Sequence, residues 1–161
     1  MTEPPHDPQA HDPQAHDPQS MAQACAEAMF QDDHASQALG VTLERIAPGA
    51  ARVSMVVTAS MVNGHGLCHG GYIFTLADSA FAYACNSYNE RAVARDGAIT
   101  FLRPAHLGER LVAEASERLR AGRGGIYDVR VMRQDGGVIA EFRGHSRQIG
   151  QRFFPSEPRH G

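Results

Sequence analysis

Lysine is absent from the 161 residues, so all 15 basic side chains are arginine. Lysine Schiff-base chemistry and a phosphate loop built on Gly-Lys are excluded by that absence alone. Excess charge is also missing. The net charge is −3, and four of the 18 acidic residues (Glu3, Asp7, Asp12, Asp17) lie in the first twenty positions, which hold no base. From Met21 onward the chain is near neutral and advertises no basic face, so nucleic acid is not an expected partner. Cysteine is sparse: Cys25, Cys68 and Cys85 are odd in number and lack paired spacing. That pattern suits reduced thiols in a cytoplasmic protein. No apolar run approaches the length of a bilayer span, and no apolar signal region follows a basic start, so no membrane association is expected. The length allows one domain with a real hydrophobic core and is tight for two.

The first feature present is a repeat. HDPQA, HDPQA and HDPQS fill residues 6–20. A period of five with Pro in each unit suits neither helix nor strand and has almost nothing apolar to bury. Residues 1–20 therefore read as a disordered tail. Its three His and three Asp could hold a metal only loosely, since nothing in the segment fixes a coordination geometry. Folded structure is expected over residues 21–150. Met21 to Phe30 reads as a short helix with Ser20 as a candidate N-cap, and a second turn through Leu39 stops at Gly40. Val41–Ile46 and Ala51–Val57 read as strands joined across Pro48-Gly49.

The stretch from Asn63 to Asn86, NGHGLCHGGYIFTLADSAFAYACN, organises the rest. It opens as a loop of Gly and His and turns at Gly70-Gly71 into a helix expected to run to about Tyr88. Ile73, Leu76, Ala77, Ala80 and Ala84 fall at helical spacing on one side, and Phe74, Phe81 and Cys85 on another with Asp78 among them. A helix apolar nearly all round is a core helix that other elements must wrap. Asp78 is the only Asp, Glu, Lys or Arg between Arg52 and Glu90. A lone carboxylate there is costly unless paired or hydrogen-bonded, which makes it a candidate for catalysis, against the plainer reading of a buried backbone cap.

Beyond the helix the pattern changes to period two. Arg91–Arg103 is a long extended run with a possible bulge at Gly97, ending at Pro104. Leu111, Ala113 and Ala115 share one face of the next strand; Tyr127, Val129 and Val131 alternate with Asp128, Arg130 and Met132, then Val138, Ala140 and Phe142 with Ile139, Glu141 and Arg143. Gly-bearing connections at residues 122–125 and 136–137 read as hairpin turns. The expected architecture is α+β: a curved antiparallel β-sheet wrapped around one long central helix, with the later strands as a meander. Residues 151–161 return to polar residues and Pro and read as a loose tail.

The Asn63–Asn86 string, with ITFLRPA near residue 101 and FRGHSRQIG near residue 145, resembles the hotdog-fold acyl-CoA thioesterases, most closely those of the phenylacetic acid degradation type. HGG followed seven residues later by Asp inside an apolar helix, after an Asn-Gly-His loop, carries the resemblance. It spans roughly residues 22–150. It implies a helix wrapped by a curved sheet, hydrolysis of acyl-CoA thioesters without metal or cofactor, homodimers often paired into tetramers, and aryl-acetyl groups as the acyl part.

The resemblance also assigns roles. Asp78 is the catalytic carboxylate, attacking the thioester or serving as general base on water. The Gly70 amide stabilises the developing oxyanion, which agrees with the outward-pointing amides and positive dipole end of any helix N-terminus. Gly70 and Gly71 have the simpler reading of a tight turn, compatible with that role. Asn63 orients water or the carbonyl, or is a turn residue before Gly64. His69 orients the loop, Gly71 lines the substrate, and Ser79 either hydrogen-bonds near the carboxylate or satisfies a carbonyl one turn back. Cys68 beside His69 suggests a thiolate nucleophile, but neighbours on an extended loop usually point apart. Two other functions stay open: a non-catalytic acyl-CoA-binding protein, and an enoyl-CoA hydratase, which pairs His with a carboxylate.

Overall fold

The structure, a computed structural model, describes residues 17–155. Most of the repeat tail and the last six residues lie outside that range. The first helix, α1, runs Pro18–Asp32, so the end of the third repeat is helical. Asp17 rather than Ser20 caps it: the Asp17 carboxylate accepts from the Ser20 amide at 2.8 Å, and Pro18 supplies the fixed φ favoured at a helix start. Pro, which argued against helix inside the repeat, suits the first turn for this reason. The short α2 (His34–Ala38) follows, and Gly40 with φ +68° ends it as expected.

Strands β1 (Thr42–Ala47) and β2 (Ala50–Val56) form a hairpin across Pro48-Gly49. The central helix α3 spans Gly70–Cys85, three residues shorter than expected, because Asn86 closes it. The Asn86 side chain donates to the carbonyls of Ala82 and Ala92 and accepts from the Ala92 amide, turning the chain into β3 (Ala92–Phe101). Three further strands, β4 (Arg110–Ala121), β5 (Gly124–Arg133) and β6 (Val138–Gln148), complete one six-stranded antiparallel sheet.

Its order, β1-β2-β4-β5-β6-β3, corrects the expected meander. Of the strands after α3, only β4, β5 and β6 follow one another. Strand β3 crosses to the far edge and pairs with β6, while β4 returns to β2, from Ala50↔Ser116 to Val56↔Arg110. Alternation fixes which face of a strand is buried and says little about which neighbour it pairs with. The register irregularity in β3 lies between Ala94 and Asp96, not at Gly97. Gly97 is needed for a different reason: a Cβ there would sit 2.8 Å from the Phe142 ring.

The sheet wraps α3 as the hotdog arrangement requires. Ile73, Leu76, Ala77, Ala80 and Ala84 are buried with Val53, Met55, Leu111, Ala113, Val129 and Val131 in one core. Phe81 meets Tyr127 and Phe142 at ring distances of 5.6 and 5.9 Å. Beside β1 the Gln19 amide donates to the Ile46 carbonyl at 2.7 Å. The outer edge of β3 has no partner strand among the described residues, and nearly all of its side chains are exposed.

The chain beyond Gln151 is not loose as far as it is described. Asn89, at φ +59°, exchanges two hydrogen bonds with Phe154 at 3.0 and 2.9 Å, and the Arg91 guanidinium lies 4.2 Å from the Phe153 ring centre. Asn is among the few non-glycine residues that tolerate this left-handed conformation. Asn89→Ala removes both bonds and keeps a strained Cβ, so a loss of about 1–3 kcal/mol is expected in urea unfolding. An unchanged midpoint would show that this strap contributes nothing to the fold.

Candidate active site

The loop before α3 is built around Asn63. Its Oδ1 accepts from the amides of His65 at 2.9 Å and Leu67 at 3.2 Å, while the Asn63 amide donates to the Leu67 carbonyl at 2.8 Å. Gly66, at φ +74°, permits the reversal. The Cys68 amide then bonds the Ala105 carbonyl and the His69 amide bonds that of Met61, both at 2.8 Å. These bonds fix the height at which the helix begins. The turn reading of Asn63 is therefore met, and its Nδ2 donor makes no hydrogen bond among the described residues.

His69 is the N-cap of α3. Its Nδ1 accepts from the Gly71 amide at 2.9 Å, and its carbonyl accepts from the Tyr72 amide at 3.0 Å. Of the first-turn amides at 70, 71 and 72, only that of Gly70 has no partner among the described residues. A free amide at the positive end of a 16-residue helix suits an oxyanion. The glycines are not there for backbone freedom, because neither has positive φ. Close approach suits them: a Cβ at Gly70 would lie 2.8 Å from the tip of the Phe101 ring, and one at Gly71 would lie 3.1 Å from His69 Nδ1, so a side chain at either position would make its neighbour shift.

Asp78 lies two turns further along α3, half-buried. Its carboxylate makes no hydrogen bond or ion pair among the described residues, and burial alone raises its pKa above the ordinary Asp value. The reading of Asp78 as a cap for a buried backbone group is thus not met. Cys85, on the same stripe, has its thiol pushed up to about 12 by burial and then by the Asp78 charge. Burial likewise raises the Cys68 thiol, whose Sγ contacts the His69 carbonyl at 3.7 Å. With His69 Nδ1 held by Gly71, no Cys-His nucleophile is assembled.

Ser79 takes its plainer role. Its hydroxyl donates to the Thr75 carbonyl at 2.9 Å and lies 3.3 Å from Ser36 Oγ. The Gly71 amide, committed to His69, is likewise closed to a ligand. Asn63 and Gly70 line one cavity of about 460 Å³ with Leu67, Ile73, Phe101 and Pro104, and Asp78 is not part of its wall. Sequence reasoning did not single out Phe101, whose only signal was an aromatic residue closing the ITFLRPA strand. Among the arginines, Arg103 donates to the Val138 carbonyl and Arg143 pairs with Asp128 through two bonds of 2.6 and 2.9 Å.

A core helix sheathed by a curved sheet defines a hotdog protein, and in this one the first helical amide and the acid two turns on have no partner among the described residues. The sequence pattern of the Thioesterase superfamily matches residues 65–140. Acyl-coenzyme A thioesterase PaaI of Escherichia coli strain K12 is 46% identical over 125 residues, covering 78% of this chain and 89% of that protein. The solved E. coli PaaI protein, from the phenylacetic acid degradation operon, superposes with a TM-score of 0.83 at 43% identity, over 84% of this chain and 99% of the other. The smu.793 protein of Streptococcus mutans UA159, solved with acetyl CoA bound, gives 0.67 at 26% identity, over 70% and 90%. The chain belongs to the thioesterase superfamily, among the hotdog-fold acyl-CoA thioesterases of the phenylacetic acid degradation type. Among the described residues no helix is long and apolar enough to cross a membrane.

Proposed function

We propose that this thioesterase hydrolyses phenylacetyl-CoA, or its ring-hydroxylated forms, to the free acid and coenzyme A in the cytoplasm, as part of phenylacetate breakdown. The observation that carries the chemistry is Asp78, a half-buried carboxylate without a partner among the described residues and with a raised pKa. Asp78 either removes a proton from water as it attacks the thioester carbonyl, or attacks the carbonyl itself to give a mixed anhydride that water then opens. In both routes the C–S bond breaks, the thiolate leaves, and it is protonated to free coenzyme A. Label in Asp78 after a single turnover in ¹⁸O-water identifies the anhydride route, since only water that opens the anhydride at the Asp78 carbonyl places it there. The Gly70 amide donates to the oxyanion, and Asn63 Nδ2 orients water or the carbonyl. His69 is a positioning residue: by taking the Gly71 amide it leaves Gly70's as the donor. No metal or cofactor enters these steps.

Gly70 and Asp78 are eight residues apart on one helix, so roughly 12 Å separates them along its axis. A reacting carbon must sit about 3–3.5 Å from its nucleophile while its oxygen reaches the amide. One helix does not do both, and a twofold dimer in which Gly70 of one chain faces Asp78 of the other supplies two identical sites. The unpaired edge of β3, with Val93 and Phe101 each 50% exposed, is the surface such a dimer would cover. The resemblance adds a pairing of dimers into a tetramer.

Free-thiol release and enoyl absorbance, followed together on a small acyl-CoA panel, test the activity. Thiol is expected from phenylacetyl-CoA, with no change in enoyl absorbance. Tight binding without turnover would instead indicate a non-catalytic acyl-CoA carrier, for which an unpaired buried acid has no use. Hydration of an enoyl thioester would indicate the hydratase, against which the commitment of His69 Nδ1 to Gly71 weighs. Because Asp78 must be ionised, kcat/KM is expected to fall as pH drops through its pKa, with a midpoint above the ordinary 3.8. A midpoint at or below that value would argue against this carboxylate.

A further inference from the structure

Phe101, the last residue of β3, is half exposed, yet its ring tip lies over Gly70, where a Cβ would sit 2.8 Å from it. The same ring forms a wall of the cavity of about 460 Å³ that Gly70 and Asn63 share, together with Leu67, Ile73 and Pro104. A thioester whose oxygen bonds the Gly70 amide has two arms, and one of them must enter this cavity. The pantetheine arm carries two amides that need hydrogen-bond partners, and on this wall the side-chain nitrogen donors come from Asn63 and Arg103 alone, among mostly apolar side chains. Arg103 spends one of its guanidinium donors on the Val138 carbonyl at 2.8 Å, and Asn63 Nδ2 serves to orient water or the carbonyl. The acyl arm is the one that fits.

We propose that Phe101 is the specificity-determining residue of the acyl pocket, its ring selecting a flat aromatic acyl group over a long flexible chain. The proposal rests on the thioesterase reading and on the Gly70 amide as carbonyl donor, and it adds the side chain that does the selecting. Offset or edge-to-face contact between two rings is favourable beyond the area it buries, and a saturated chain cannot make it. The ring is also part of the cavity wall, so removing it makes room for more methylenes.

The test compares the affinities of two non-hydrolysable thioethers, 2-phenylethyl-CoA and octyl-CoA, for the parent protein and for Phe101→Ala and Phe101→Leu. Phe101 is half exposed on an edge strand, so both variants are expected to fold. The affinity ratio of the aryl to the alkyl ligand is expected to drop by about 2–12-fold in Phe101→Ala, the range set by a lost aromatic pair. Phe101→Leu, apolar but not aromatic, is expected to lose the same preference. An unchanged ratio, whether both affinities fall together or neither moves, would overturn the proposal. Thioethers do not react, so this readout is independent of Asp78. If the parent released no thiol from any acyl-CoA, the hydrolase reading would fail while the ratio still reported on Phe101.

Discussion

Asp78→Asn is expected to fold like the parent and to turn over acyl-CoA about 10²–10⁴-fold more slowly, the usual consequence of losing a general base. The substitution is nearly isosteric, so the packing around Phe74, Phe81 and Cys85 is preserved. What disappears is the one carboxylate on α3. The structure adds an expectation for stability. Burial raises the pKa of Asp78 in the folded protein, so folding is favoured by its protonated form and opposed by its ionised form. The penalty begins as pH rises past the ordinary Asp value of 3.8 and is complete above the folded pKa. Asn never ionises, so the variant is expected to melt at or above the parent temperature at neutral pH, with the gap closing in acid. An active variant, within roughly threefold of the parent, would remove Asp78 from the chemistry. An inactive variant that melts well below the parent would point to a structural role instead.

That pairing of lost activity with retained stability distinguishes a functional carboxylate from a structural one, and it explains why Asp78 could be found in the sequence. A charge alone within a long uncharged stretch is visible without coordinates. So was the core helix, because Ile73, Leu76, Ala80 and Ala84 repeat at its period. What was not visible follows from contacts between distant residues. The crossing of β3 to the far edge depends on which strands compete for β6, and alternation cannot report that. Gly70 and Gly71 suggested a strained turn, whereas the observed cause is the approach of Phe101 and His69 to helical backbone. Ser79 had two readings, near the carboxylate or on a backbone carbonyl, and Gly71 was expected to line the substrate. The structure commits the first to Thr75 and Ser36 and the second to His69. The result is a division of labour in which one amide is left free because its neighbour is occupied.

The same division makes the sharing of sites between chains testable. Gly70→Pro removes the free amide hydrogen and keeps the backbone conformation. His69, at φ −59° and ψ 132°, already has the extended geometry that a following Pro requires, and Pro is well tolerated at a helix start. A Cβ there meets only the far end of the Phe101 side chain, which lies on the exposed edge and can swing aside. Gly70→Pro and Asp78→Asn are thus two variants, each expected to be inactive for its own reason. Unfolded together in equal amounts and refolded, they pair at random, so about half of all dimers contain one chain of each kind. In such a hybrid, one site joins the intact Asp78 of one chain to the intact Gly70 of the other, and the second site has neither. Thiol release from phenylacetyl-CoA by the mixture is expected to return to roughly a quarter of the parent rate. If both variants refold and exchange chains, and the mixture stays as inactive as either alone, the carboxylate and the amide do not act on one carbonyl from opposite chains.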